Sequence, residues 1–81
     1  MSIRVLFFAS LADITGMRET NVDAGLFADV GSVFEEFAKK FPRLDAHRKS
    51  IMFALNSEFA GPSSPIHDGD EIAFLPPVSG G

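Results

Sequence analysis

The run Ile3 to Ala9 is short, apolar and rich in branched and aromatic side chains, the pattern of a β-strand. Leu11 to Thr15 has the length of a brief helical turn that Gly16 ends, and Glu19 to Val22 is expected as a second strand, forming a hairpin-like pair with the first. From Val30 the period changes. Val33, Phe34, Phe37, Ala38 and Phe41 recur at helical spacing, with Glu35, Glu36, Lys39 and Lys40 on the other side, so the main helix is expected here. Asp29 is its expected N-cap, although Ser32 to Glu35 also reads as a capping box one turn later. Pro42 marks the exit, and the two lysines suit the negative end of the helix. A polar stretch from Arg43 to Ser50 leads to a third strand over Ile51 to Asn56, followed by a loop at Gly61 to Pro65. Asp68-Gly69-Asp70 is a turn, with Gly69 supplying a positive φ, and it delivers Glu71 to Leu75 as the last strand. Two strands, a helix and then two or more strands give a single α+β domain over residues 1–75, its main helix laid across one face of a sheet.

Alternation within the strands predicts what each face carries. Ile3, Val5 and Phe7 share one face and Arg4, Leu6 and Phe8 the other, and the face that carries Arg4 is expected to be the open one. By the same logic Ile72 and Phe74 point at the helix, while Glu71, Ala73 and Leu75 do not. Leu6, Phe8, Ala73 and Leu75 then form an uncovered apolar patch, with Phe59 a neighbour, and this patch is expected to dock a partner. Burying four large apolar side chains is worth roughly 6 to 12 kcal/mol, against an association cost of about 4 to 15 kcal/mol. Moderate, exchangeable binding is the expected result.

After Leu75 the chain reads Pro76-Pro77-Val78-Ser79-Gly80-Gly81. The prolines lack N–H donors and fix φ, so a sheet ladder should end there and an extended arm should leave it. At roughly 3.3 Å per residue, residues 76–81 reach up to about 20 Å, enough to enter a partner's active site while the body stays outside. Glycine has no Cβ, so Gly80 and Gly81 fit a slot that admits main chain alone and bring the terminal carboxylate in unshielded.

Composition narrows the classes. Hydrophobic residues make up 46% of the 81, with nine Phe and no Trp or Tyr, so the core is expected to be Phe-filled. The chain lacks cysteine, which removes a disulfide framework and a thiol nucleophile. A net charge of -4 argues against nucleic acid, and the cations are scattered except for Lys39-Lys40 and His47-Arg48-Lys49. Arg4 followed by Val5 to Ala12 has some likeness to a secretory leader, but with a single basic residue before it, and its removal would take a strand from a small core. With no stretch of membrane-spanning length, a cytoplasmic protein is the expectation. Phosphate-binding loops, dinucleotide glycine motifs, metal clusters and nucleophile elbows are not found. His47 and His67 are expected on the surface or in turns, Asp68, Asp70 and Glu71 are explained by turn chemistry, and Met17 and Met52 by packing.

The stretch from His67 through Asp68-Gly69-Asp70-Glu71-Ile72-Ala73-Phe74-Leu75-Pro76-Pro77-Val78-Ser79-Gly80-Gly81 resembles the C-terminal signature of the small subunit of molybdopterin synthase. The opening Ile3-Arg4-Val5-Leu6-Phe7-Phe8-Ala9 and the length are similar to that family as well. The resemblance implies a ubiquitin-like β-grasp fold, a mixed sheet of four to five strands with one main helix, acting as a sulfur carrier in molybdenum cofactor biosynthesis. It implies that Gly81 is adenylated and then thiocarboxylated by partners, with Gly80 as the slot-fitting residue and Ser79 where a small hydroxyl residue is usual. The partners implied are a ubiquitin-activator-like adenylyltransferase that uses ATP, a sulfur donor enzyme, and a large synthase subunit, in a heterotetramer, where the sulfur passes to cyclic pyranopterin monophosphate.

The chemistry of the residues agrees with such a carrier. A terminal carboxyl with an ordinary pKa of about 3.5 is ionised near neutrality and is a poor electrophile, so it needs ATP to provide a leaving group, and a partner must supply that catalysis. The chain itself is expected to bind no cofactor and to be non-catalytic. A ubiquitin-like modifier of lysines, a plain interaction domain, and a sulfur carrier for thiamine or tRNA thiolation remain as alternatives, although Pro-Pro-Val-Ser before Gly-Gly favours the pterin pathway.

Overall fold

The computed structural model describes residues 1–77. In chain order these form β1 (Ser2–Phe7), α1 (Ser10–Thr15), β2 (Glu19–Asp23), a 3-10 turn (Ala24–Leu26), α2 (Val30–Lys40), α3 (Pro42–Ala46), β3 (Met52–Leu55), β4 (Glu58–Ala60) and β5 (Glu71–Leu75). The five strands make one mixed sheet in the order β2-β1-β5-β3-β4. Its centre is the parallel pair β1 and β5, with Val5 opposite Ile72 and Phe7 opposite Phe74. The other pairings are antiparallel. This is the β-grasp arrangement, in which the first and last strands lie side by side.

Alternation sorts the two faces as the sequence predicts. Ile3, Val5, Phe7, Ile72 and Phe74 are buried beneath α2, whose Val33, Phe34 and Phe37 face them. Phe7 meets Phe37 edge-on with ring centroids 5.1 Å apart, and Phe74 meets Phe34 at 5.5 Å and Phe53 at 5.4 Å. Edge-to-face packing of this kind adds to simple area burial. The N-cap of α2 is Asp29, as expected, but the reciprocal capping pair is Asp29 with Ser32 rather than Ser32 with Glu35. The Ser32 N–H donates to Asp29 Oδ1 at 2.8 Å and the Asp29 N–H to Ser32 Oγ at 3.2 Å.

Two elements depart from the sequence reading. The polar stretch from Arg43 contains α3, because Pro42 both ends α2 and supplies a preset φ in the first turn of the next helix, while Leu44 anchors it with no exposed surface. Glu58 to Ala60 forms an edge strand, reached through a two-residue turn in which Asn56 and Ser57 hold φ of 52° and 70°. Positive φ at both turn positions matches the twist of a hairpin. The remaining boundaries move by one or two residues: β1 ends at Phe7 rather than Ala9, and β3 starts at Met52 with Ile51 turned into the core.

The turn before β5 ties three strands together. Gly69 adopts φ +89° and its N–H donates to the Ser2 carbonyl, while the Ser2 N–H donates to Asp68 Oδ1. Asp70 accepts from Asn56 Nδ2 at 3.0 Å and from the His67 N–H at 2.8 Å. These hydrogen bonds, the one from Asn56 first, hold the Asp70 carboxyl below the usual carboxylate range. A carboxyl whose folded pKa is depressed stabilises the fold above its unfolded pKa, and that contribution is lost as pH falls through the folded value. Acid unfolding of the wild type should therefore show a loss of stability below the ordinary carboxylate pKa that Asp70→Ala removes, measured as denaturant midpoints between neutral pH and strong acid.

At the start of α2, Gly31 donates its N–H to the Pro62 carbonyl at 2.8 Å. A Cβ built there would stand 2.9 Å from both that oxygen and Pro62 Cβ. Helix propensity alone favours Gly31→Ala by up to about 1 kcal/mol, but overpacking of this kind costs typically about 1 to 3 kcal/mol. Urea denaturation of Gly31→Ala should show a net loss of stability.

Candidate docking face and tail root

The face of the sheet away from α2 is built in three rows. The first is polar. Arg4 stands opposite Glu71 and pairs with it, Glu19 Oε2 lies 3.8 Å from Arg4 Nη1, and Asn56 accepts the Glu71 N–H through Oδ1 at 2.9 Å. The hydrogen bond and charge of Glu71 raise the already high pKa of Arg4, so this cation is fixed and locally neutralised. The second row is apolar and crosses four strands: Leu6 opposite Ala73, Ala73 opposite Ala54, and Ala54 opposite Phe59. The third lies nearest the end of β5. Leu75 stands opposite Met52, and Phe8, whose N–H donates to the Phe74 carbonyl at 3.1 Å, flanks it on the other side.

These rows bring together every patch residue expected from the sequence within the described part. Leu6, Phe8, Phe59, Ala73 and Leu75 line one cleft of about 220 Å³, with Ala54, Ser57 and Glu71 completing it. Phe59 is 76% exposed and Phe8 45%, large values for aromatic side chains with apolar neighbours. Phe8 keeps its place through a tight turn: the Leu11 N–H returns to the Phe8 carbonyl at 3.0 Å, and Ala9 takes φ 50° to allow it.

Two members were missed. Met52 is 38% exposed beside Leu75, so packing in the core does not account for it, and Ala54 is buried on the open face rather than within the helix-side core. Alternation puts Met52 and Ala54 on one face of β3, but choosing that face requires the pairing partner, which is the non-consecutive β5.

Leu75 ends the sheet, and Pro76 and Pro77 line a crevice with Ser10, Leu11, His47 and Ile51. The root of the arm thus sits between the start of α1 and the segment that follows α3. Val78, Ser79, Gly80 and Gly81 lie outside the described residues. His47 and His67 are exposed. Among the described residues no group of His, Cys, Asp or Glu side chains is placed to hold a metal ion, and no helix is long and apolar enough to cross a membrane.

The chain matches the model of the ThiS family over residues 5–81. The chain belongs to the ThiS family. The molybdopterin synthase sulfur carrier subunit of Chlamydomonas reinhardtii is 36% identical over 83 residues, with all of both chains covered. The crystal structure of small archaeal modifier protein 1 from Haloferax volcanii superposes with a TM-score of 0.82 at 32% identity, again over the whole of both chains. Subunit 1 of the molybdopterin-converting factor from Helicobacter pylori, solved in a complex with subunit 2, shares the fold at a TM-score of 0.70 and 24% identity over the full length of each.

In this ThiS-family chain the exposed ring of Phe8 can be changed without opening the core. Phe8→Asp should retain the far-UV circular dichroism and melting behaviour of the wild type. Unfolding of this variant would place Phe8 in the core and reverse the assignment of the faces.

Proposed function

We propose that this protein is the sulfur-carrier small subunit of a molybdopterin synthase, that its open face docks its partners, and that Gly81 carries the sulfur. The observation that carries this reading is the continuity of the apolar rows with the arm. Leu75, which stands opposite Met52 on that face, is followed at once by Pro76 and Pro77, so a partner seated on the face lies next to the root of the tail. The full-length likeness to sulfur carrier subunits supports the pathway.

The chain is not itself an enzyme, and its part in the chemistry is to present an acyl group. In the first step the Gly81 carboxylate attacks the α-phosphorus of ATP held by an adenylyltransferase of the ubiquitin-activator type, and pyrophosphate leaves. In the second, a persulfide sulfur on a donor enzyme adds to the acyl carbon and AMP departs with the electron pair of the carbon–oxygen bond. Reduction of the resulting acyl disulfide by a thiol gives the thiocarboxylate. The carrier then docks on the large subunit, in a heterotetramer, and the sulfur passes to cyclic pyranopterin monophosphate to build the dithiolene. ATP belongs to the activating partner, and the whole sequence is assigned to the cytoplasm. Val78 and Ser79 stand between the prolines and the glycines in the sequence, and Gly80, which has no Cβ, suits a slot that admits main chain alone.

A modifier reading also has support, because a small archaeal modifier protein is among the similar structures. Intact-mass analysis separates the two: an oxygen-to-sulfur exchange on the chain marks the carrier, and conjugates on other proteins mark the modifier.

A slot that admits main chain alone is intolerant of bulk, and a small misplacement of a reacting atom costs about a hundredfold in rate. Deleting Gly81, or Gly80→Val, should leave the fold and the binding to the large subunit nearly unchanged while thiocarboxylate formation or sulfur transfer collapses. Molybdopterin synthesis with purified partners by a chain lacking Gly81 would remove the sulfur from this C-terminus and end the carrier reading.

A further inference from the structure

The charge of this protein is strongly polarised along the chain. Residues 39–49 contain Lys39, Lys40, Arg43, Arg48 and Lys49, five of its seven Lys and Arg, against Asp45 as the one carboxylate of eleven. A segment of net +4 therefore stands in a chain of net -4. All five cations and His47 are exposed.

The fold gathers this segment at the tail end of the molecule, on the helix side. The second half of α2 lies over the tail end of the sheet, since Phe37 packs against Phe7 at the end of β1. Beyond α3, His47 and Ile51 line the same crevice as Pro76 and Pro77. Arg48 is committed to structure: its guanidinium donates to both oxygens of Glu35 at 2.7 and 2.8 Å, to Asp45 at 2.7 Å, and covers the Phe34 ring at 5.7 Å. Among the described residues Lys39, Lys40, Arg43 and Lys49 take part in no ion pair. Lys39 and Lys40 suit the C-terminal end of α2, but Arg43 and Lys49 lie beyond it, so the helix dipole does not explain the whole group.

We propose that this basic segment is a second docking surface, fitted to an acidic protein surface, by which the sulfur-delivering protein approaches the tail while the open face is already occupied. The inference rests on the carrier reading. In that reading the acyl-adenylate forms with the open face covered by the activating enzyme, and sulfur must arrive at the same tail before the adenylate hydrolyses. A second protein can approach along the side left free, where this segment reaches the root of the tail through His47, which lines a crevice with Pro76 and Pro77. Exposed charges of one sign that form no ion pair act mainly on the rate of encounter, raising it by about ten- to a thousandfold in a salt-sensitive way.

The test reverses Lys39, Lys40 and Lys49 to Glu together, leaving Arg48 and Pro42 in place, and follows three readouts with the purified activating enzyme. Pyrophosphate release on adenylation should match the wild type. Thiocarboxylate formation, read as an oxygen-to-sulfur mass exchange, should fall by about tenfold or more with a persulfidated donor protein and a thiol reductant at low salt, and should match the wild type when inorganic sulfide replaces that protein. The wild-type rate with the donor protein should fall as salt rises, and the variant's should not. An unchanged rate with the donor protein overturns the proposal, as does an equal loss with inorganic sulfide. A parallel loss of pyrophosphate release assigns the surface to the activating enzyme and overturns it too, and tight wild-type binding to RNA in a filter assay, abolished in the variant, assigns it to a polyanion and does the same. Failure of the carrier reading is distinguishable, because the wild type would then gain no sulfur from either source.

Discussion

The parallel pairing of β1 with β5 is the constraint on which the rest of this structure depends. It places the first and last strands at the centre of the sheet, where Ile3, Val5, Phe7, Ile72 and Phe74 are buried on the helix side. Side-chain alternation in those two strands then decides the other face without further instruction. Leu6 and Ala73 become neighbours there, and the ladder that joins them ends where the arm begins. One register thus fixes both the apolar row of the open face and the point, Leu75, at which the sheet ends.

The open face is divided into apolar rows and a polar row. The apolar rows carry the area that can be removed from water, which at about 25 cal/mol per Å² limits how tightly a partner is held. The polar row of Arg4, Glu19, Glu71 and Asn56 is already internally paired, so it offers a partner little new charge attraction, and exposed ion pairs are weak in any case. Its contribution is to bound the patch and fix where the apolar surface starts. Arg48 plays a comparable structural part on the other side, where its bond to Glu35 lowers the Glu35 pKa and joins α2 to the segment after α3.

Much of this was legible in the sequence because the period of the apolar residues matched the period of each element. The α2 stripe, the Asp29 cap, the turn around Gly69 and the face assignment of β1 and β5 all followed from spacing and residue type. The misses share a cause. Helix α3 has a single buried anchor, Leu44, and β4 has three residues, so neither is long enough to show a period. Met52 and Ala54 belong to the docking face through the pairing of β3 with β5, a contact between non-consecutive strands that alternation cannot choose. The end of the sheet at Leu75 was legible for another reason, since the prolines that follow it cannot donate to a ladder.

Arg4 and Glu71, which meet across the central pair, are 67 positions apart in the sequence. No fragment of the chain can therefore assemble the docking face, because each of its rows takes residues from both ends of the sequence. Closing so long a loop comes late and slowly in folding. A misfolded or nicked molecule would keep an intact Gly-Gly sequence yet offer no surface for a partner to grip. The open face is thus a property of the finished fold, whereas the Gly-Gly sequence is present in every copy of the chain, folded or not.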